Sequence, residues 1–196
     1  AFSAALRLCE KNFLCGQFLN FTPMNTNNIF PAGFSPASRV WIYQSNRPFN
    51  EQEILEINEQ LHQLTAQVNS HGTPVKGWGQ VVMNQVIVLI ADETHTTVSG
   101  CSTDSSVRII KSIEKQYEVN MFDRLLLGFI VKDKIQLLPM AQVAYALEKG
   151  YIDENTLYLN NTVLSKQELD TRWLQPLKES WIAGKMLLAK AQSSRE

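Results

Sequence analysis

Residues 99–106 read SGCSTDSS and run directly into VRIIKSIEKQY. A thiolate is a nucleophile, an arginine fork grips oxyanions, and a helix start offers unpaired N–H groups at the positive end of its dipole. One reading is therefore an anion site, with Ser102, Thr103, Asp104 and Ser105 around the oxyanion and Cys101 and Arg108 as the catalytic pair. The competing reading is a helix start. Asp104 would then cap the helix with its own carboxylate, worth ~0.5–2 kcal/mol, and Cys101 would be a small buried side chain.

SGCSTDSSVR resembles the loop of cysteine phosphatases and rhodaneses, in which a cysteine, five residues and an arginine surround an oxyanion. Here six residues separate Cys101 from Arg108. On a helix one extra residue turns the arginine by ~100°, and the loop lacks the internal glycines that let backbone N–H groups converge. The capped helix start is the expectation. Acid–base help for a thiol site could come from Glu93 and His95, which strand alternation places on one side while Asp92 points away. His62, His71 and His95 have no ligand spacing, so neither a metal nor a cofactor is expected. Gly77-Trp78-Gly79 is too short for a phosphate loop.

VIVLIADE at 86–93 is an apolar strand ending in adjacent carboxylates, as in a Walker B strand, and VSGCS faintly echoes the LSGGQ signature of ABC transporter ATPases. A triphosphate in that fold needs GxxxxGK[ST], and the chain has no such stretch. Its nearest Gly-Lys pair, Gly184-Lys185, lacks the earlier glycine and the hydroxyl. The echo also follows the apolar strand, whereas the signature precedes it. No nucleotide hydrolysis is expected.

These residues need elements to hold them. VWIYQ at 40–44 predicts a strand, closed by the turn SNRP. Asn50 and Glu53 form a capping box for a helix with the face Ile54, Ile57, Leu61, Leu64 and Val68, stopped by Gly72. VKGWGQVVMN and QVIVLIADE predict strands about an Asn84-Gln85 turn, the second mid-sheet because it is nearly all apolar. A helix with the face Val107, Ile110, Ile113 and Tyr117 follows, then a hairpin of RLLLGFIV and IQLLPM across KDK. AQVAYALEKG is a short helix ending at Gly150, and YIDENTLYLNNTVL is irregular or extended. Ser165 and Glu168 box a last helix carrying Leu169, Trp173 and Leu177, ended or kinked by Pro176. Trp173 and Trp181 are expected in the core. The order predicts an α+β fold: a ferredoxin-like split βαβ sheet with an added strand and C-terminal helices.

A chain of 196 residues fits one domain. The expected division is an N-terminal arm at 1–38, non-native or flexible, a single α+β domain at 39–183, and a tail at 184–196. Phe2, Leu6, Cys9 and Phe13 share a helical face within the arm, whose Arg7, Glu10 and Lys11 argue against a signal peptide. With 18 basic and 19 acidic residues the net charge is -1, so no global field draws the chain to nucleic acid or an anionic membrane. The apolar run VIVLIA is far short of the ~20 residues that span a bilayer. Three cysteines are too few and odd for a disulfide framework, which points to the cytoplasm.

VWIYQSNR, ADE, SGCSTDSSVRIIK, FDR and the tryptophan near the C-terminus together resemble a small bacterial family, over about residues 39–183. Some of its members carry the name ABC transporter ATPase. The resemblance implies a self-contained cytoplasmic protein without an established activity, and the missing GxxxxGK[ST] argues against that name. The expectation is a binding or regulatory module for a protein or small-molecule ligand, with a thiol-dependent or anion-handling enzyme at Cys101 and Arg108 as the alternative.

Overall fold

A computed structural model of the chain describes residues 29–66, 69–70, 73–92 and 100–184. In chain order its elements are β1 (Arg39–Gln44), α1 (Glu51–Ala66), β2 (Asn69–Ser70), β3 (Thr73–Pro74), β4 (Gly77–Val82), β5 (Val86–Ala91) and α2 (Gly100–Tyr117). β6 (Leu126–Val131), β7 (Lys134–Pro139), α3 (Val143–Glu148), β8 (Leu157–Leu159), α4 (Lys166–Arg172) and β9 (Leu174–Pro176) follow. The class is α+β. A three-stranded antiparallel sheet has the order β1-β5-β4, a four-stranded one the order β7-β6-β8-β9, and β2 and β3 form a small hairpin.

The first sheet has the order β1-β5-β4, and β6 does not extend it. The outer edge of β1 is already occupied: Val40 N–H donates to the Leu164 carbonyl at 3.0 Å and Lys166 N–H to the Ser38 carbonyl at 2.8 Å. β6 is moreover apolar on both faces, with Leu127 and Phe129 on one and Ile130 on the other, so it needs a packed layer on each side.

The layers follow from those faces. Ile57 and Leu61 of α1 and Ile110 and Ile113 of α2 pack on one face of the first sheet, against Val81, Ile87 and Leu89. Val40, Val88 and Ile90 on its other face meet Ile130, Leu159, Leu169 and Trp173. The far face of the second sheet, with Phe129 and Tyr158, is covered by Val143 and Ala146 of α3 and by Ile182. β5 thus lies between helices and a second sheet, and all six of its residues are buried. Burying each large aliphatic side chain contributes ~1.5–3 kcal/mol, so an uninterrupted VIVLIA is what this position requires.

Local signals mostly act as expected. Asn50 and Glu53 exchange both capping-box bonds, each 2.9 Å. The helix ends at Ala66, and Val68 and Gly72 lie outside the described residues. The β4–β5 loop runs over three residues, 83–85, between the paired Val82 and Val86, and the β6–β7 turn over two. Met83 and Asn84, at φ 52 and 58, replace the expected Asn84-Gln85 pair, and Lys132 and Asp133, at φ 52 and 59, join β6 to β7. Positive φ at both central residues matches the right-handed strand twist. Ser165 accepts from Glu168 N–H as a cap, but α4 stops at Arg172, and Trp173 leads into β9 rather than a longer helix. Trp173 is 1% exposed, whereas Trp181 is 41% exposed, so the expected core role holds only for the first. The packed body begins before Arg39: Phe30 is buried edge-on between Trp78 and Trp173, at 6.2 and 5.3 Å.

Candidate functional site

α2 begins at Gly100, four residues before the expected cap. The stretch Cys101, Ser102, Thr103, Asp104 and Ser105 therefore forms the first turns of the helix, not a loop ahead of it. Asp104 is exposed within the helix, which corrects its assignment as the N-cap. Cys101 and Arg108 are seven positions apart, about two turns and ~10 Å along the axis, and Arg108 is exposed. No cradle around one oxyanion follows from that backbone. Glu93 and His95 lie outside the described residues. Asp92 follows β5, with its N–H bonded to the Lys76 carbonyl at 2.9 Å. Among the described residues no group of three or more His, Cys, Asp or Glu side chains could hold a metal ion.

Gly77 and Gly79 have a packing role. A β-carbon at Gly79 would fall 2.7 Å from Leu89 Cδ2 and 3.3 Å from Leu61 Cβ, and one at Gly77 3.2 Å from the Thr65 carbonyl oxygen. These glycines let α1 lie close on β4. The Asn58 side chain accepts from Val81 N–H at 2.8 Å.

What the fold does assemble is a corner where β1, α2 and the α2–β6 loop meet. Tyr43 of β1 is buried, shares a hydrogen bond with Ser106 of α2, and lies near the Arg124 guanidinium. Burial pushes its phenol up from the ordinary range, while Ser106 and Arg124 hold back part of that rise. Phe122 packs edge-on against Tyr43, 5.6 Å between ring centres. The loop is pinned along its length. Asn46 N–H donates to the Asn120 carbonyl and Asn120 N–H to Asn46 Oδ1, while Met121 N–H donates to Glu114 Oε1 at 2.6 Å. Asn120 Oδ1 accepts from Phe122 N–H, and Asp123 Oδ1 from Leu125 N–H. On this fixed loop Phe122 is 38% and Leu125 61% exposed, with Arg124 exposed between them. The arrangement can offer an aromatic edge, an aliphatic side chain and a guanidinium together, with little ordering left to do on binding.

FDR at 122–124 and VWIYQ at 40–44 carry no site signal of their own in the sequence. Their meeting across 79 positions (122 − 43) depends on the sheet and on α2, and no local pattern signals it.

Comparison with known proteins gives no matching family model, no matching curated protein and no matching solved structure.

Proposed function

We propose that this chain is a binding or regulatory module whose recognition surface is the pinned loop of Phe122, Arg124 and Leu125. The observation that carries the reading is the combination of exposed apolar side chains with backbone fixed at Asn120, Met121, Phe122 and Leu125. Aromatic and arginine side chains are the usual anchors of binding surfaces, and prior fixation lowers the entropy cost of association. A protein or small-molecule ligand in the cytoplasm remains the partner class, without nucleic acid or membrane insertion. No described helix is long and apolar enough to cross a membrane. We read the β1-β5-β4 sheet with α1 and α2 as a ferredoxin-like half in which β6 has left for a second sheet. The bacterial family resemblance stands as part of the same proposal, and its ABC transporter ATPase label does not. β5 has antiparallel neighbours on both sides, unlike the parallel strands of a doubly wound nucleotide fold. The thiol-enzyme reading at Cys101 and Arg108 draws no support from their separation on α2.

A thermal-shift ligand screen tests the proposal, because a ligand specific to the folded chain raises its melting temperature. Hits should lose their shift in Arg124→Ser/Leu125→Ser, two exposed side chains, while that variant melts close to the wild type. ATP with magnesium should give no shift. Hits that survive the double substitution unchanged would place recognition elsewhere.

A further inference from the structure

We infer that β7 is a dimerisation edge, pairing antiparallel with the same strand of a second copy of this chain. The inference uses backbone groups of the second sheet and does not depend on the Phe122 surface. Among the described residues β7 pairs only with β6 and forms the border of its sheet. Met140 N–H bonds the Leu125 carbonyl, and Lys134 closes the two-residue turn opposite Val131, so the even-numbered residues face β6. The N–H and C=O groups of Ile135 and Leu137 consequently point outward, with no hydrogen-bond partner among the described residues. Ile135, Leu137 and Leu138 are only half-buried. A border strand with unpaired groups and apolar side chains is a template for another strand.

For that partner the strand's own residues allow a single register. Pairing Leu137 with its own copy would set Ile135 opposite Pro139, which has no N–H to give. Pairing Ile135 with its own copy would set Leu137 opposite Asp133, a turn residue at φ 59 that cannot continue a strand. Only Ile135 opposite Leu137 of the other copy satisfies both residues in both chains, giving four backbone hydrogen bonds about a twofold axis. Gln136 then faces its own copy as a non-hydrogen-bonded pair, with Cα atoms ~4.5 Å apart. An interface of this kind uses the same patch on both copies and closes at two.

Three substitutions test this in the full chain. Gln136→Cys should form a 136–136 disulfide on mild oxidation, since that Cα spacing lies within disulfide range; mass spectrometry separates it from links through Cys9, Cys15 or Cys101. Leu137→Pro removes an outward N–H together with a half-buried side chain, and Gln136→Lys sets two ammonium groups face to face from an exposed position. Sedimentation over a concentration series should show a reversible wild-type dimer, with dissociation constants raised at least about tenfold in both variants. Their far-ultraviolet dichroism should stay unchanged, and Gln136→Lys keeps the test open if the proline disturbs folding. A chain that stays monomeric throughout, or a dimer that neither substitution weakens, overturns the inference. So does a monomer whose border strand instead takes up a foreign extended peptide.

Discussion

A β-carbon at Gly128 would lie 2.5 Å from Gln44 Oε1. The Gln44 amide is held at both ends, because its Nε2 donates to the Leu126 carbonyl at 2.9 Å and its Oε1 accepts from Asn161 Nδ2 at 3.1 Å. Asn161 in turn accepts from Trp173 Nε1 at 3.1 Å. This chain of bonds fastens β1 to β6 and the end of α4, between otherwise apolar sheet faces. Gly128→Ala must displace the amide and should cost about 1–3 kcal/mol in urea unfolding. In a Gln44→Ala background the same substitution should cost less, because the obstacle is gone. Equal costs in the two backgrounds would show that Gln44 is not what Gly128 accommodates.

The SNRP turn acts as a joint between helices. Arg47 reaches Glu53 with both guanidinium nitrogens, at 2.8 and 2.9 Å, and donates to the Tyr117 carbonyl at the end of α2. The Arg47 hydrogen bond holds the Glu53 carboxyl below the ordinary carboxylate range. A depressed pKa contributes stability that is present above the unfolded value of ~4.3 and is lost as pH falls through the folded one. Wild type should therefore lose more melting temperature between neutral and acid pH than Glu53→Gln. The effect should be modest, because the Arg47 side chain is 40% exposed. Parallel losses would remove this pair from the acid response.

At the other end of the pH scale, burial pushes the Tyr117 phenol up to about 12, helped by its hydrogen bond to Glu56. A raised pKa means that its contribution is complete below the ordinary phenol value of ~10 and disappears as pH climbs through the folded value. Ultraviolet titration of the native chain should show a late-ionising tyrosine, and Glu56→Gln should bring it earlier. An unchanged late titration in that variant would leave burial as the whole cause.

The elements were largely legible because each rests on local rules: the Asn50–Glu53 box, the apolar VIVLIA run and the hairpin across Lys132-Asp133. The separation into two sheets was not legible. It depends on residues 164–166 occupying the edge of β1, with Ser165 bridged to Arg39 across 126 positions (165 − 39), between segments with no mutual sequence signal. The start of α2 at Gly100, ahead of the cap expected at Asp104, has a related reason. Ser, Thr and Asp favour caps over helix interiors because their side chains compete for backbone bonds. Anchoring by Ser106, Ile110 and Ile113 outweighs that bias and draws the helix back to Gly100.

A helix that starts at Gly100 changes what SGCSTDSS should do under mutation. With Asp104 exposed inside α2, alanine there removes no cap. It exchanges a modest gain in helix propensity for a weak favourable interaction with the dipole. The net change should be within about 0.5 kcal/mol, whereas loss of a true cap would cost ~0.5–2 kcal/mol. For Cys101, two helical turns separate it from Arg108, so the arginine should have little influence on the thiol. The alkylation rate of Cys101 against pH, read by mass spectrometry beside Cys9 and Cys15 in the same folded sample, should be unchanged in Arg108→Ala. Fast labelling near pH 6 that disappears in Arg108→Ala would reveal a thiolate stabilised by that guanidinium. It would return the segment to the catalytic reading and require α2 to open at its start.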